Sequence, residues 1–285
     1  MLSYPCCKIN LGLNVVAKRP DGYHDLETVF MAVPVTDVLE VEITQEGLIT
    51  QGGLSLLCKN EELSGCDPEK NLVMRAYRLL EKDFKLPAVS ITLTKQIPSQ
   101  AGMGGGSSDG AFMITMLNEL CNLHLTEQQM EQYAARLGAD CAFFINPEQP
   151  RYATGIGEIL SDFDDSLLMQ QLKGKHLLLI KPDVAVSTKE AYAGITPKKP
   201  RYNCREVIET LPMKEWKDKL TNDFEDSIFP KLPVLREVKE QMYEDGAVYA
   251  AMSGSGSTLF AFYEQEPIKT IERYANKYYT KSITL

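Results

Sequence analysis

Apolar residues at every second position mark the start of the chain. Ile9, Leu11, Leu13 and Val15 fall on one side of an extended segment, with Lys8, Asn10, Gly12 and Asn14 on the other. Period two predicts a half-buried strand. The alternation recurs in "AVSITLTK" through Val89, Ile91 and Leu93, and "TDVLEVEIT" reads as a further strand through Val38, Leu39, Val41 and Ile43. Helical spacing takes over in "KNLVMRAYRLLEKDF", with Leu72, Tyr77, Leu79 and Leu80, and "DGAFMITMLNEL" continues as an apolar helix. Another helix begins at Thr126, which with Gln129 has the spacing of a capping box, and it stops near Gly138. Towards the end, "KHLLLIKP" predicts a strand and "LPVLREVKEQMYEDG" a helix ending at Gly246. "VYAAMSGSGSTLFAFY" predicts two strands around a Ser/Gly turn, and "PIKTIERYANKY" a last helix. Strands and helices intermix without a regular βαβ repeat, which favours an α+β fold over a doubly wound parallel sheet.

"RPDGYHD" is a turn by its Pro-Asp-Gly core, and "TPKKPR" reads as a flexible link. The pattern loosens after about Gly157, so the expected division is residues 1–157 and 158–285. Such a chain, 285 residues with 44% hydrophobic, has ample material for two cores. Its charge narrows the partners. Lys+Arg total 30 against 39 Asp+Glu, a formal net charge of −9. Without a basic arm, such a chain repels a phosphate backbone, which argues against nucleic acid as a partner. The seven cysteines (Cys6, Cys7, Cys58, Cys66, Cys121, Cys141, Cys204) are scattered and odd in number, with no CxxC pair, against both a disulfide framework and a structural zinc site. The N-terminal residues lack a basic stretch followed by an apolar run. No segment approaches the roughly 18 apolar residues of a membrane span. The expectation is a reduced, soluble, cytoplasmic protein with no membrane partner.

The chemistry concentrates in "SQAGMGGGSSDGAF", where four glycines fall within the five positions 102 to 106. The loop follows a predicted strand and opens a predicted helix with Ser107, Ser108 and Asp109. N–H groups at a helix start lack intrahelical partners, and the helix dipole is positive there. Glycines let an anion approach the backbone, so this arrangement suits phosphate. A tight turn with Ser or Asp as N-cap is the plainer reading, which four glycines in five positions disfavour. Neither common phosphate motif fits. A Walker A loop needs a Lys after its last glycine, and none is present. In a Rossmann GxGxxG, Gly102 and Gly104 match but the third position is Ser107, and a helix follows where a second strand ending in an acid is required.

"PSQAGMGGGSSDGA" resembles the PxxxGLxSS-type ATP loop of the GHMP small-molecule kinases, and "KINLGLNV" and "MSGSGSTLFAF" resemble two further motifs of that family in the same order. "RPDGYHDLETVF", "LGADCAFFI", "ATGIGE" and "NDFE" resemble the branch of the family acting on a cytidine-diphosphate-linked methylerythritol in non-mevalonate isoprenoid synthesis. The resemblance implies phosphoryl transfer from ATP, with Mg2+ as its counter-ion, to the 2-hydroxyl of that small molecule. It also implies two domains, one like ribosomal protein S5 and one ferredoxin-like, in a monomer or weak homodimer. Many relatives carry Gly where this chain has Gln100 and Ala where it has Gly110. The latter change costs a helix roughly 1 kcal/mol.

Carried over residue by residue, the resemblance makes Asp140 the general base and Lys8 its partner, supporting charge near the reacting hydroxyl. By itself Asp140, after the helix-stopping Gly138, reads first as an N-cap, a preference the resemblance reverses, and Lys8 reads as a solvated strand-face lysine. Pro98, Ser99, Gln100, Ala101, Gly102, Met103, Gly104, Gly105, Gly106, Ser107 and Ser108 would wrap the triphosphate, with Asn71 and Lys95 near the nucleotide base. Asn10 would orient the acceptor hydroxyl. Tyr23 would stack on cytosine, His24 would bond its ring edge and Tyr192 would form the opposite aromatic wall. Thr188 and Phe30 belong to the same implied pocket. "SGSGST" is open between a hairpin turn and a role in positioning substrate. Competing readings are another GHMP kinase, which would not explain "DGYHDLETVF", and a non-catalytic nucleotide-binding regulator, which would not need Lys8 and Asp140 together. A Rossmann oxidoreductase fails for the reasons above.

Overall fold

The computed structural model describes residues 1–44, 54–59 and 68–285; Cys66 lies outside them. In chain order the strands are β1 (Leu2–Ser3), β2 (Cys6–Lys18), β3 (His24–Thr36), β4 (Val38–Ile43), β5 (Leu54–Lys59), β6 (Val89–Thr94), β7 (Arg151–Thr154), β8 (Ile159–Ser161), β9 (His176–Lys181), β10 (Tyr249–Met252), β11 (Leu259–Tyr263) and β12 (Tyr279–Thr284). The helices are α1 (Leu72–Glu81), α2 (Gly105–Leu120), α3 (Glu127–Leu137), α4 (Ser166–Leu172), α5 (Thr188–Ala193), α6 (Cys204–Thr210), α7 (Phe224–Ile228), α8 (Pro233–Glu244) and α9 (Ile268–Tyr274). A 3-10 segment spans Ala139–Ile145.

Two compact units emerge. One is made of Met1–Lys8, Ala32–Ser99 and Gly104–Gln149, the other of Ile9–Met31, Gln100–Met103 and Pro150–Leu285. This differs from a single cut after residue 157. Strands β2 and β3 each contribute residues to both units, because a long strand need not end where a core ends.

In the first unit, β1, β4, β6 and β5 form a sheet in that order, antiparallel except for β5 beside β6. In β4, Leu39 and Val41 are buried while Glu40 and Glu42 are exposed, but Ile43 at the strand's end is exposed as well. The apolar sheet face packs with α1 and α2 through Leu39, Ile91, Val73, Tyr77, Met113 and Leu117. Each such side chain contributes roughly 1.5–3 kcal/mol by leaving water. Helix α3 carries the expected capping box, with the Thr126 and Gln129 side chains each accepting from the other's backbone. Gly110 has a packing explanation. A Cβ there would stand 3.0 Å from Cβ of Leu72, so the missing methyl group makes room for α1.

In the second unit, β9, β10, β11 and β12 form an antiparallel sheet in the order β10-β11-β9-β12. With helices between β9 and β10 and α9 between β11 and β12, this is the ferredoxin-like β-α-β-β-α-β arrangement. Leu178, Ile180, Ala261, Leu235, Val238 and Met242 fill its core.

Strand β2 departs from the half-buried expectation. Its polar positions are covered too, with Lys8, Asn10 and Asn14 all buried. Such residues stay inside only when bonded. Asn14 Nδ2 donates to Glu27 Oε1 at 2.7 Å. Glu27, buried on β3, also accepts from Asn203 Nδ2 at 2.6 Å, Tyr152 OH at 3.0 Å and the Cys204 N–H at 3.3 Å. The carboxylate thus ties β2, β3, β7 and the start of α6 together. Glu27→Gln keeps the shape but turns a donor towards these donors. It is expected to cost about 2 kcal/mol, read as a lower urea midpoint with an unchanged slope.

Candidate functional site

The glycine loop leaves β6 and enters α2, as the sequence order requires. Gly104 is the N-cap, in the left-handed region at φ 70°, and no side chain caps the helix. The early N–H groups of α2 therefore lack both a helical carbonyl and a side-chain cap. A Cβ on Gly104 would meet the Phe144 ring at 2.9 Å and Lys8 Cε at 3.2 Å; one on Gly105 would meet Ile97 at 2.9 Å. Glycine at these positions lets the backbone lie flat on its support. Ser108 Oγ is buried with no hydrogen-bond partner, and the Ser107 side chain bonds with Cys141.

Below the loop, Lys8 and Asp140 form an ion pair at 3.1 Å. The Lys8 side chain is 3% exposed and that of Asp140 34%. Asp140 lies in the first turn of the 3-10 segment Ala139–Ile145, whose Cys141, Phe143 and Phe144 are buried. That anchoring holds the carboxylate at one end of an apolar run, open to solvent on its other side. Lys8 is not on a solvated strand face.

Lys95, just past β6, is not an ordinary strand-end charge either. Its Nζ bonds to Asp37 and, at 2.6 Å, to Asp109 on α2. Burial disfavours its charge, but the Asp109 and Asp37 carboxylates outweigh that and raise its pKa. Asp37 also accepts from the N–H groups of Gln96 at 2.5 Å and Ile97 at 2.9 Å. The side chain of Lys95 is thereby committed within this cluster. Asn71 is likewise committed: it is the N-cap of α1, its Oδ1 accepting from the Val73 N–H at 3.0 Å.

In the second unit, the front of the loop meets the "SGSGST" turn between β10 and β11. Ser253 Oγ donates to the Gly102 carbonyl at 2.9 Å, and the Thr258 N–H to the Ala101 carbonyl at 3.1 Å. Gly102 has φ 73°, and Gln100 is a non-glycine residue in the left-handed region at φ 50°. Pro98 and Ser99 carry the chain from Ile97 to this bend, and Met103 is buried. The turn has a structural role beyond joining two strands.

The same unit holds the residues assigned to cytosine. His24 stacks on Tyr192, ring centroids 4.8 Å apart and planes 17° from parallel, and Tyr192 meets Phe224 edge-on at 4.8 Å. Tyr23 is 60% exposed on the adjacent turn. Thr188 opens α5, with its Oγ1 3.4 Å from Ser255 Oγ of the glycine-serine turn. Asn10 Nδ2 donates to Thr28 Oγ1 at 3.0 Å. Phe30 is buried on β3. Of the residues the sequence assigns to the acceptor pocket, Tyr23, His24, Tyr192 and Thr188 are at least partly exposed, whereas Asn10 and Phe30 are buried.

The sequence does not single out Asp37, and it marks Asp109 only as a helix-start residue. The signal for a buried role of Asp109 is an acid set in the apolar helix start "SSDGAFMI", a position that burial makes costly unless it is paired.

Residues 71–146 match the family described as GHMP kinases N terminal domain, and residues 205–281 match GHMP kinases C terminal. A 4-diphosphocytidyl-2-C-methyl-D-erythritol kinase of Bacteroides fragilis is 52% identical over 270 residues, covering 93% of this chain and 93% of its own. One of Porphyromonas gingivalis is 40% identical over 269 residues, 94% of this chain and 93% of its own. A crystal structure of 4-(cytidine 5'-diphospho)-2C-methyl-D-erythritol kinase aligns with a TM-score of 0.80 at 29% identity, covering 99% of this chain and 98% of that one. A homoserine kinase from Cytophaga hutchinsonii shares the fold, with a TM-score of 0.67 at 16% identity over 98% of this chain and 94% of that one. Both halves of the fold match one family and the relatives span nearly the whole length, so this chain is a kinase of the GHMP family.

Proposed function

We propose that this kinase transfers the γ-phosphoryl group of ATP to the 2-hydroxyl of 4-diphosphocytidyl-2-C-methyl-D-erythritol, the substrate class in the names of its relatives. The observation that carries the chemistry is the Lys8–Asp140 pair, a buried ammonium 3.1 Å from a half-open carboxylate. Asp140 takes the hydroxyl proton as that oxygen bonds to the γ-phosphorus. The bond from the γ-phosphorus to the β–γ bridging oxygen breaks, and ADP leaves with the electron pair. Lys8 supplies positive charge beside the reacting oxygen. Where such a transition state is loose, positioning and charge matter more than base strength. Asn10 orients the hydroxyl.

The glycine loop receives the triphosphate on backbone N–H groups, with Ser107 and Ser108 at its helix start. Mg2+ enters as MgATP. Among the described residues no group of three His, Cys, Asp or Glu side chains is placed to hold a metal; the ion would be carried mainly on the phosphate oxygens of the nucleotide. The six free cysteines among the described residues suit a reducing cytoplasm, where the enzyme would work as a monomer or weak homodimer.

His24 and Tyr192 recognise the cytosine. His24→Ala is expected to raise KM for the cytidine-linked acceptor about tenfold, the order of a lost aromatic contact plus a hydrogen bond. KM for ATP should stay within twofold, and steady-state kinetics with each substrate varied separates the two. The reading itself is tested by ATP consumption with the cytidine-linked acceptor, mevalonate, homoserine and galactose in turn, with Asp140→Ala as control. Turnover with mevalonate, homoserine or galactose would discard the cytosine pocket. ATP binding without turnover on any acceptor would favour the regulator.

A further inference from the structure

We propose that Asp109 takes up a proton when polyphosphate binds the glycine loop, so that its carboxyl sets the loop's affinity for nucleotide. The inference rests on the reading of residues 102–108 as the phosphate site. Asp109 lies in the second turn of α2 and is 2% exposed. Its Oδ2 accepts from Lys95 at 2.6 Å, while its Oδ1 is buried with no hydrogen-bond partner. The same ammonium serves Asp37, which is fully buried. Two carboxylates sharing one ammonium in a dry site resist both being ionised.

The proton falls on Asp109 because of unequal satisfaction. Asp37 accepts from Lys95 and from two backbone N–H groups, whereas Asp109 has one donor and one bare oxygen. A neutral bare oxygen is far cheaper to bury than a charged one. Burial, with the Asp37 charge adding to it and Lys95 opposing, pushes the Asp109 carboxyl up to about 7.

The cluster sits where it can act on an anion. Lys95 Nζ is 3.5 Å from the place a Cβ on Gly105 would occupy, directly under the first residue of α2. The other charges around α2 are engaged elsewhere. On the 3-10 segment Asp140 pairs with Lys8. From α1, Arg75 acts on Cys141. On α3, Arg136 is exposed and 4.0 Å from Asp83; on β4, Glu40 and Glu42 are exposed. An ionised Asp109 leaves the cluster one unit more negative beneath the incoming phosphates. By linkage, bound polyphosphate favours the protonated carboxyl, and the protonated carboxyl favours bound polyphosphate.

Calorimetric titration of the full chain with MgATPγS, whose terminal thiophosphate stays ionised over the range, tests this in two buffers of different ionisation enthalpy. Wild type should take up close to one proton at pH 8 and lose about tenfold in affinity between pH 6 and pH 8, as a group titrating near 7 dictates. Asp109→Asn should take up none and bind equally at both pH values. Binding without proton uptake in wild type overturns the inference and leaves the phosphate loop standing. The same uptake in Asp109→Asn also overturns it, since another group would carry the proton. No binding at any pH overturns the loop reading itself. Should Asp109→Asn fail to fold, the proton count on wild type decides alone.

Discussion

Asp140→Asn lowers kcat by roughly 10²–10⁴-fold, the range associated with removing a positioned general base. The amide keeps the volume and one oxygen beside Lys8, so the anchoring of the 3-10 segment by Cys141, Phe143 and Phe144 persists. Asn cannot take the hydroxyl proton, and it no longer balances the charge of Lys8. The nucleotide should still bind, because the loop is supported by Phe144 and Ile97. The expected signature is a collapse in kcat with the dissociation constant for ATP within about threefold, together equivalent to roughly 3–5 kcal/mol of lost transition-state stabilisation. Retention of more than a tenth of wild-type kcat would remove the base from the mechanism and leave Asp140 as the holder of Lys8.

The second large effect belongs to a residue with no side chain. Gly102→Ala would place a methyl group 2.0 Å from the Ser253 carbonyl oxygen and 3.0 Å from the Gly256 N, at a backbone φ of 73°. The left-handed conformation costs a non-glycine residue about 1 kcal/mol. The clash costs more, because its partner is backbone that must move. Together they are expected to cost about 3 kcal/mol or more, and to break the bond from Ser253 to the Gly102 carbonyl. ATP affinity should fall at least tenfold, since the loop would no longer hold one shape. Gly22→Ala is the matched control, with φ 88° and nothing within 4 Å. It should show the conformational cost alone, about 1 kcal/mol. Urea unfolding of the two variants separates close approach from backbone strain, and equal losses would refute the close approach.

How legible the fold was depended on the length and one-sidedness of each element. β4, β6, α1, α3 and α8 stand where period and caps predict them, since each buries one face over six or more residues, and β9 is legible as a short unbroken apolar run, Leu177 to Ile180, although both of its faces are buried. β3 was not read as a strand because it is covered on both faces, with Glu27 and Thr28 buried by hydrogen bonding rather than by apolar character. Helices α4 to α7 have five to seven residues each, too few for a 3.6-residue period to show.

The sequence by itself determined the order of the parts: a strand, a run of glycines and a helix start, with a second Ser/Gly turn far along the chain. It determined this much because backbone freedom and helix polarity are local properties, written in consecutive residues. Only the tertiary structure decided which charges meet. Lys8 lies 132 positions from Asp140 and Asp37 lies 72 from Asp109, and neither separation has any periodicity. Nothing in the sequence near Lys95 announces the two buried carboxylates that the fold places on its ammonium. Ion pairing in a dry interior depends on distance and burial, and both are set by packing between segments that the chain order leaves far apart.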